Sequence, residues 1–147
     1  MAHPDKQALL HWANHYPQLW NSGDKAAWIK NWRTVANGEF RMLDPVGTPE
    51  KRGFKSCCED SWDLFQPRVR FNIQPGTLFV CGHEVAWCLE NHFEGTDGPE
   101  VQYSLETYQF GENGSVDIRT YYRVPAHDNE NLGDIFQAYL PENDKGL

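Results

Sequence analysis

The sequence has 147 residues, with 13 Lys and Arg against 21 Asp and Glu, and therefore a formal net charge of −8. This balance, without any Lys/Arg run, excludes the clustered positive surface that nucleic-acid binding requires. No window of about 18 apolar residues could span a membrane, and residues 1–6 lack the basic and apolar parts of a secretory signal. We therefore expect a cytoplasmic protein with one domain over residues 1–147, a core at about 5–124 and a polar C-terminal extension at 125–147.

Aromatic residues make up 14% of the chain, including 6 Trp and 8 Phe. Disordered chains are poor in such residues, so the rings indicate a packed core or a cavity built from them. The four cysteines, Cys57, Cys58, Cys81 and Cys88, match neither the spacing of a CxxC pair nor that of a zinc ribbon. We expect four free thiols, most of which pack as small apolar groups.

The first third of the chain has the periodicity of helices. Between residues 5 and 20, apolar residues recur at steps of three and four, which places them on one helical face. Pro17 predicts a kink near Ala13 or a restart of the helix. The sequence Asn-Ser-Gly-Asp at 21–24 predicts a helix end followed by the N-cap of a second helix.

The remainder is dominated by strand patterns. A short strand at 39–44 and a third helix at 54–64 come first. Five strands follow, at 68–73, 77–81, 84–93, 101–110 and 115–124. Tight turns are predicted at 82–83 and at 112–114, where Asn113-Gly114 favours a hairpin. Helices followed by antiparallel strands predict an α+β domain in which a curved antiparallel sheet and about three helices enclose a hydrophobic pocket.

Several motifs follow the order found in a known family. Tyr16 stands five residues before the Asn-Ser-Gly-Asp turn, Asp-Pro-Val-Gly follows at 44–47, and Glu-Thr-Tyr-Gln-Phe at 106–110 precedes an Asn-Gly turn. Over residues 9–123 this order resembles the ketosteroid isomerase branch of the NTF2-like (SnoaL-like) superfamily. The resemblance implies an NTF2-like cone, a hydrophobic small-molecule substrate and no cofactor. It also implies a homodimer through the outer sheet face, where Cys88, Glu90 and His92 would lie.

The resemblance implies catalytic roles for three residues. The family's base corresponds to Asp44 and its first oxyanion donor to Tyr16, while Glu106 stands where the family has a second donor, an aspartic acid. In the family that acid is kept neutral by apolar surroundings. Proton transfer beside a carbonyl needs a base and donors for the oxygen that becomes charged. We therefore predict a cofactor-independent isomerase acting on a hydrophobic carbonyl compound.

The lining of the pocket is predicted from strand alternation and the family register. Alternation places Trp87, Leu89, Asn91 and Phe93 on one side of their strand. In register with the family, the last strand directs Arg119 inward, where it would pair with a carboxylate or bind an anionic substrate. The predicted substrate-binding residues are Trp12, Trp20, Trp32, Phe40, Phe54, Trp87, Leu89, Phe93, Tyr108, Arg119 and Tyr121.

Ordinary structural roles remain alternatives for these residues. Tyr16 fits a core tyrosine of an amphipathic helix, and Asp44 fits a turn former at a strand end. Glu106 and Arg119 fit a cross-strand surface salt bridge. The tryptophans fit a helix-to-sheet core as well as a substrate platform.

Other functions remain open as well. One is a dehydratase or polyketide-cyclase type of lyase, which often uses an Asp/His pair; His11, His15 and His83 are available for it. Another is a noncatalytic small-molecule-binding dimer, because one fold serves many functions. His11 and His15 are one helical turn apart, but no carboxylate pair completes a metal site. We predict no metal.

Overall fold

The computed structural model describes residues 2–123, and the predicted extension at 125–147 lies outside them. A π-helical turn, Lys55–Glu59, leads directly into the third helix, and a 3₁₀ turn, Glu112–Gly114, joins the last two strands. The helices are α1 (Lys6–Ser22), α2 (Lys25–Arg33) and α3 (Asp60–Phe65). The strands are β1 (Phe40–Leu43), β2 (Lys51–Arg52), β3 (Arg70–Ile73), β4 (Phe79–Cys81), β5 (Glu84–Gly95), β6 (Gly98–Phe110) and β7 (Val116–Tyr122).

Side-chain caps define the first two helices. The Asp5 carboxylate accepts a hydrogen bond from the backbone N–H of Ala8 and begins α1, which ends at Gly23 with φ 76°. A left-handed residue at this position is best supplied by glycine. Asp24 caps α2, so the predicted helix end and N-cap are confirmed. The helix α1 runs through Pro17 without restarting.

The strands form one curved, unclosed sheet in the order β2-β1-β7-β6-β5-β3, with β4 also paired to β5. The α+β fold class is confirmed. The sheet is mixed, however, since β1 runs parallel to β7 while the other pairs are antiparallel. The prediction of a wholly antiparallel sheet was therefore wrong. Two neighbouring parallel strands need a long connection. The whole chain segment between the end of β1 and the start of β7 provides it here.

Aromatic rings join the helices to the sheet. Trp12 on α1 is fully buried, and its ring centroid lies 4.9 to 5.4 Å from those of five other rings. Aromatic pairs at such distances each add about 0.5–1.5 kcal/mol beyond their burial. For Trp12 this is the core role that the sequence left open as an alternative to substrate binding. The five rings around Trp12 are those of Tyr16, Trp32, Trp87, Tyr108 and Phe110.

The side chains of β7 that point inward are displaced by one residue along the strand from those predicted. Ile118 and Thr120 are buried, whereas Arg119 is exposed and Tyr121 is 40% exposed. The predicted inward orientation of Arg119 and Tyr121 was therefore wrong. Because β7 pairs with the buried strand β1, the aliphatic side chains of β7 point inward. The guanidinium group of Arg119 then points outward, which avoids the cost of burying it. Glu106 lies opposite Thr120 in the β6–β7 register, so the proposed Glu106–Arg119 salt bridge is also absent.

Two further features of the described residues bear on the predictions. All four cysteines are free thiols, as predicted, with Cys57 and Cys58 buried. None of the helices within residues 2–123 combines the length and apolarity that a membrane span needs.

Candidate active site

A cavity of about 70 Å³ lies between the helices and the inner face of the sheet. The predicted site residues Tyr16, Trp20, Trp32, Asp44, Leu89, Glu106 and Tyr108 line it. Five others, Trp12, Phe40, Phe54, Trp87 and Phe93, pack behind this wall as core. Arg119 and Tyr121 lie outside, for the reason given above.

Asp44 directly follows β1 and is only 7% exposed. Its Oδ1 atom is buried without a hydrogen-bond partner among the described residues. Burial raises the pKa of Asp44 from 3.8 to about 7; the charge of Glu106 adds to this rise, while the Lys51 ammonium and the nearby Thr120 hydroxyl oppose it. A carboxyl with this pKa exchanges protons readily near neutral pH, which is what a general base requires.

Glu106 projects inward from β6, and its carboxyl group is held by two donors. Its Oε1 atom accepts hydrogen bonds from the Trp87 indole N–H at 2.7 Å and the Tyr108 hydroxyl at 3.0 Å. Burial raises the pKa of Glu106, and the two hydrogen bonds oppose this rise because they favour the carboxylate. Since both donors converge on Oε1, the Oε2 atom is left to carry a proton or to meet a ligand.

Tyr16 extends this arrangement from α1. It is buried, and the centroid of its ring lies 6.4 Å from that of Tyr108. Burial raises the pKa of Tyr16 well above 10, and the charge of Glu106 adds to the effect. The phenol therefore stays protonated and serves as a hydrogen-bond donor at every physiological pH. We refer to Tyr16, Tyr108 and Glu106 together as the phenol–carboxyl chain.

The sequence-based prediction missed part of the cavity wall. Asn91 was on the predicted inner face of β5 but was not included among the site residues, although alternation indicated it. Ile118, Thr120 and Tyr122 were missed because β7 was placed one residue out of register. The lining residues absent from the prediction are Trp28, Met42, Cys57, Cys58, Ser61, Phe65, Val69, Phe71, Asn91, Ile118, Thr120 and Tyr122.

The cavity combines one carboxyl that is poised to ionise with a second carboxyl and two phenols. No histidine occurs among the described residues that line it, so an Asp/His pair is not formed there. Within residues 2–123, no group of three His, Cys, Asp or Glu is placed to hold a metal ion. The arrangement can move a proton at one end and stabilise negative charge on an oxygen at the other.

Solved structures share this architecture. The epoxide hydrolase/cyclase-like enzyme SalBIII, of pyran ring formation in polyether salinomycin, has a TM-score of 0.62 and 17% identity, covering 82% of this chain and 94% of its own. A protein described as a SnoaL-like polyketide cyclase from Jannaschia sp. CCS1 has a TM-score of 0.60 and 15% identity, covering 83% and 90%. Delta 5-3-ketosteroid isomerase from Mycobacterium sp. has a TM-score of 0.58 and 17% identity, covering 79% and 93%.

The chain has the NTF2-like (SnoaL-like) fold. This confirms the fold that the resemblance implied. No protein-family model matches the sequence, and no curated protein is significantly similar to it. At 15–17% identity, the likeness establishes the NTF2-like fold alone. The chemistry has to be argued from the side chains of the cavity.

Proposed function

We propose that the protein is a cofactor-independent isomerase that shifts a proton between carbons next to a carbonyl group of a hydrophobic small molecule. The observation that carries this proposal is the placement of Asp44 in the same cavity as the phenol–carboxyl chain. Asp44 combines burial, an unpartnered oxygen and a pKa of about 7. Perturbed carboxyls cluster at functional sites, where burial and neighbouring charges match the pKa to proton transfer.

In the proposed reaction, Asp44 first removes a proton and later returns it, while Tyr16 and Glu106 stabilise the charged oxygen in between. The Asp44 carboxylate removes a proton from the carbon beside the carbonyl, and the electron pair moves onto the carbonyl oxygen. Tyr16 and the Oε2 proton of Glu106 donate hydrogen bonds to this oxygen while it is charged. Asp44 then returns the proton to the far carbon of the conjugated system, so the double bond moves and no atom is gained or lost.

The two carboxyl groups need different protonation states for this reaction. The charge of Glu106 raises the pKa of Asp44, so the doubly ionised pair is disfavoured and the groups titrate as a pair. The singly protonated pair has two forms: a proton on Asp44 blocks the base, whereas a proton on Glu106 leaves Asp44 ionised. The proposed reaction requires the second form. That arrangement provides both the base and the neutral donor.

The cavity restricts the substrate. Ligand sites usually have volumes of about 300–1,000 Å³, so this cavity of about 70 Å³ has to widen before it admits a polycyclic ligand. The described walls are mostly apolar and include eight aromatic side chains, which favours an apolar molecule. Arg119 lies on the exposed side of β7 and does not supply the cation that would have favoured an anionic substrate.

Hydrogen exchange tests the proposal before the natural substrate is known. A panel of β,γ-unsaturated cyclic ketones is incubated with the protein in D₂O, and deuterium at the α and γ carbons is followed by NMR. The proposal predicts catalysed exchange together with migration of the double bond into conjugation. Exchange no faster than that in buffer, over ketones of increasing size, would count against an isomerase.

A ring-closing or ring-opening epoxide reaction is the second candidate. The specific observation is that both cavity carboxyls have raised pKa values, which suits one of them as acid and the other as base. SalBIII, described as epoxide hydrolase/cyclase-like, shares the fold. Turnover of an epoxy alcohol to a cyclic ether without ketone exchange would select this candidate. A noncatalytic binder is disfavoured, since Arg119 does not hold Asp44.

Lys51 on β2 lies beside the proposed base. Its Nζ atom donates a hydrogen bond to the Asp44 backbone oxygen at 3.3 Å, and its charge lowers the pKa of Asp44. We expect Lys51→Met to raise that pKa further and to move the acidic limb of the rate–pH profile to higher pH. The variant should lose activity severalfold at pH 6 and approach the parent at pH 9.

The matched control is Lys55→Met, which removes an exposed lysine paired with Asp60 at 2.8 Å. Its profile should superpose on that of the parent. An unchanged acidic limb in Lys51→Met would show that Asp44 does not set the pH dependence.

We also propose that the protein is a homodimer through the outer sheet face. Val101, Leu105 and Tyr121 are large apolar side chains that are 40–48% exposed there, and Leu105 lies opposite Tyr121 in the β6–β7 register. Leu105→Glu should convert a dimer to a monomer in light scattering, whereas Val46→Glu, which changes an exposed side chain in the loop after β1, should not. A monomeric parent would contradict this assembly. The cytoplasmic location stays a prediction.

A further inference from the structure

Asn91 is a polar residue on the apolar wall of the cavity. It lies on the inner face of β5, is 7% exposed and lines the same cavity as Asp44 and Glu106. The proposed proton transfer does not use it. Burying an amide without satisfying it is costly, so each of its polar atoms needs a partner in the working protein.

The hydrogen bonds of Asn91 define which of its atoms is available. Its Nδ2 atom donates to the backbone oxygen of Gln102 at 2.9 Å and to the Ser104 hydroxyl at 2.9 Å. A backbone carbonyl can only accept, so the nitrogen must face Gln102 and the orientation of the amide follows. Both amide hydrogens are thereby used within the sheet. The Oδ1 atom, to which no described residue donates, is left as an acceptor.

The register of the sheet separates this acceptor from the proposed oxyanion donors. Asn91 pairs with Gln102, whereas Glu106 pairs with Trp87, so the two positions are offset by four residues along the strands. Four residues span about 14 Å in an antiparallel strand. Leu89 occupies the inner face between Trp87 and Asn91 and lines the cavity, which makes the intervening surface apolar.

We propose that Asn91 Oδ1 binds a hydroxyl or N–H group of the substrate at the end remote from its carbonyl. This assignment rests on the proposed function, which places the carbonyl at Tyr16 and Glu106. The substrate class is then an elongated apolar molecule with an acceptor oxygen at one end and a hydrogen-bond donor at the other. A ligand that offers an ether or a second carbonyl at the far end leaves Oδ1 facing an acceptor and loses this contact.

Binding of two naphthols tests the assignment without requiring turnover. The phenol of 2,6-dihydroxynaphthalene mimics the enol at the phenol–carboxyl chain, and its second hydroxyl can donate to Asn91. In 6-methoxy-2-naphthol the far oxygen can only accept. Quenching of tryptophan fluorescence reports binding of both compounds. The parent should bind the diol about tenfold more tightly, the change that one ordinary hydrogen bond produces.

The variants separate this site from the rest of the cavity. Asn91→Leu should abolish the preference for the diol without weakening the methoxy compound, and Asn91→Ala repeats the test if the leucine variant does not fold. Asn72→Leu, on the outer face of β3 where Asn72 bonds to Glu90, should keep the preference. Equal binding of both naphthols by the parent, no binding of either, or a preference that survives in both Asn91 variants would overturn the assignment.

Tyr16→Phe distinguishes this failure from failure of the proposed function. If the carbonyl end is placed as proposed, this variant should bind both naphthols more weakly and by the same factor. An Asn91-dependent preference that persists while Tyr16→Phe has no effect on either compound supports the donor site. The same result would contradict the proposal that the phenol–carboxyl chain binds the carbonyl oxygen of the substrate.

Discussion

Asp44→Asn should reduce α-proton exchange and isomerisation by about 10²–10⁴-fold, the usual contribution of a positioned general base. The amide has nearly the shape of the carboxyl but cannot accept a proton, so the fold and naphthol binding should be retained. The initial rate with the best ketone of the panel, measured above pH 7, gives the comparison. Thermal unfolding of both proteins confirms that the loss is chemical.

A second aspartate variant provides the control. Asp63→Asn removes a carboxylate that is exposed and paired with Lys25 at 3.0 Å, and exposed pairs contribute little. Its rate should equal that of the parent. A normal rate in Asp44→Asn would refute the assignment of the base, whatever the stability of the variant.

The free energy of unfolding should fall as the pH rises from about 4 to about 7. Asp44 keeps its proton up to about pH 7 in the folded protein, whereas an unfolded aspartate loses it near 3.9. Unfolding between these values releases a proton, so the contribution of Asp44 is complete below pH 4 and lost above pH 7. The difference between a pKa of about 7 in the folded protein and about 3.9 in the unfolded chain corresponds to about 4 kcal/mol in the free energy of unfolding. The raised pKa of Glu106 acts in the same direction.

Urea unfolding of the parent and of Asp44→Asn between pH 4 and pH 8 measures this contribution. The difference between the two proteins isolates Asp44, because the exposed ion pairs are common to both. The free energy of unfolding of Asp44→Asn should decrease much less as the pH rises. At pH 8 the variant should be more stable than the parent. Parallel stability–pH curves for the two proteins would mean that Asp44 titrates as an ordinary exposed aspartate.

Local sequence signals predicted the helices and most of the strands. The N-cap Asp24 and the left-handed Gly23 have effects confined to a few residues, so they can be identified without tertiary structure. The grouping of Tyr16, Asp44 and Glu106 into one site was predicted from the resemblance of the motif order to that of a known family. In the structure, all three residues line the same cavity.

Features that depend on strand register could not be predicted in this way. Side chains alternate along a strand, so an error of one residue in β7 exchanged Arg119 for Thr120 on the inner face. The parallel pairing of β1 with β7 joins segments far apart in the chain, and no local pattern indicates it. Tyr108 was predicted to contact substrate, but its bond to Glu106 depends on both side chains and on the pleat of β6.

The proposed role of Asp44 depends on a carboxyl that exchanges protons near neutral pH, and NMR can follow the titration of that carboxyl. Protein labelled with ¹³C at the aspartate carboxyl carbons is titrated from pH 3 to pH 9, and the Asp44 signal is assigned as the one missing from Asp44→Asn. The structure predicts a midpoint near pH 7. A midpoint near pH 4, the ordinary value for an exposed aspartate, would contradict the account.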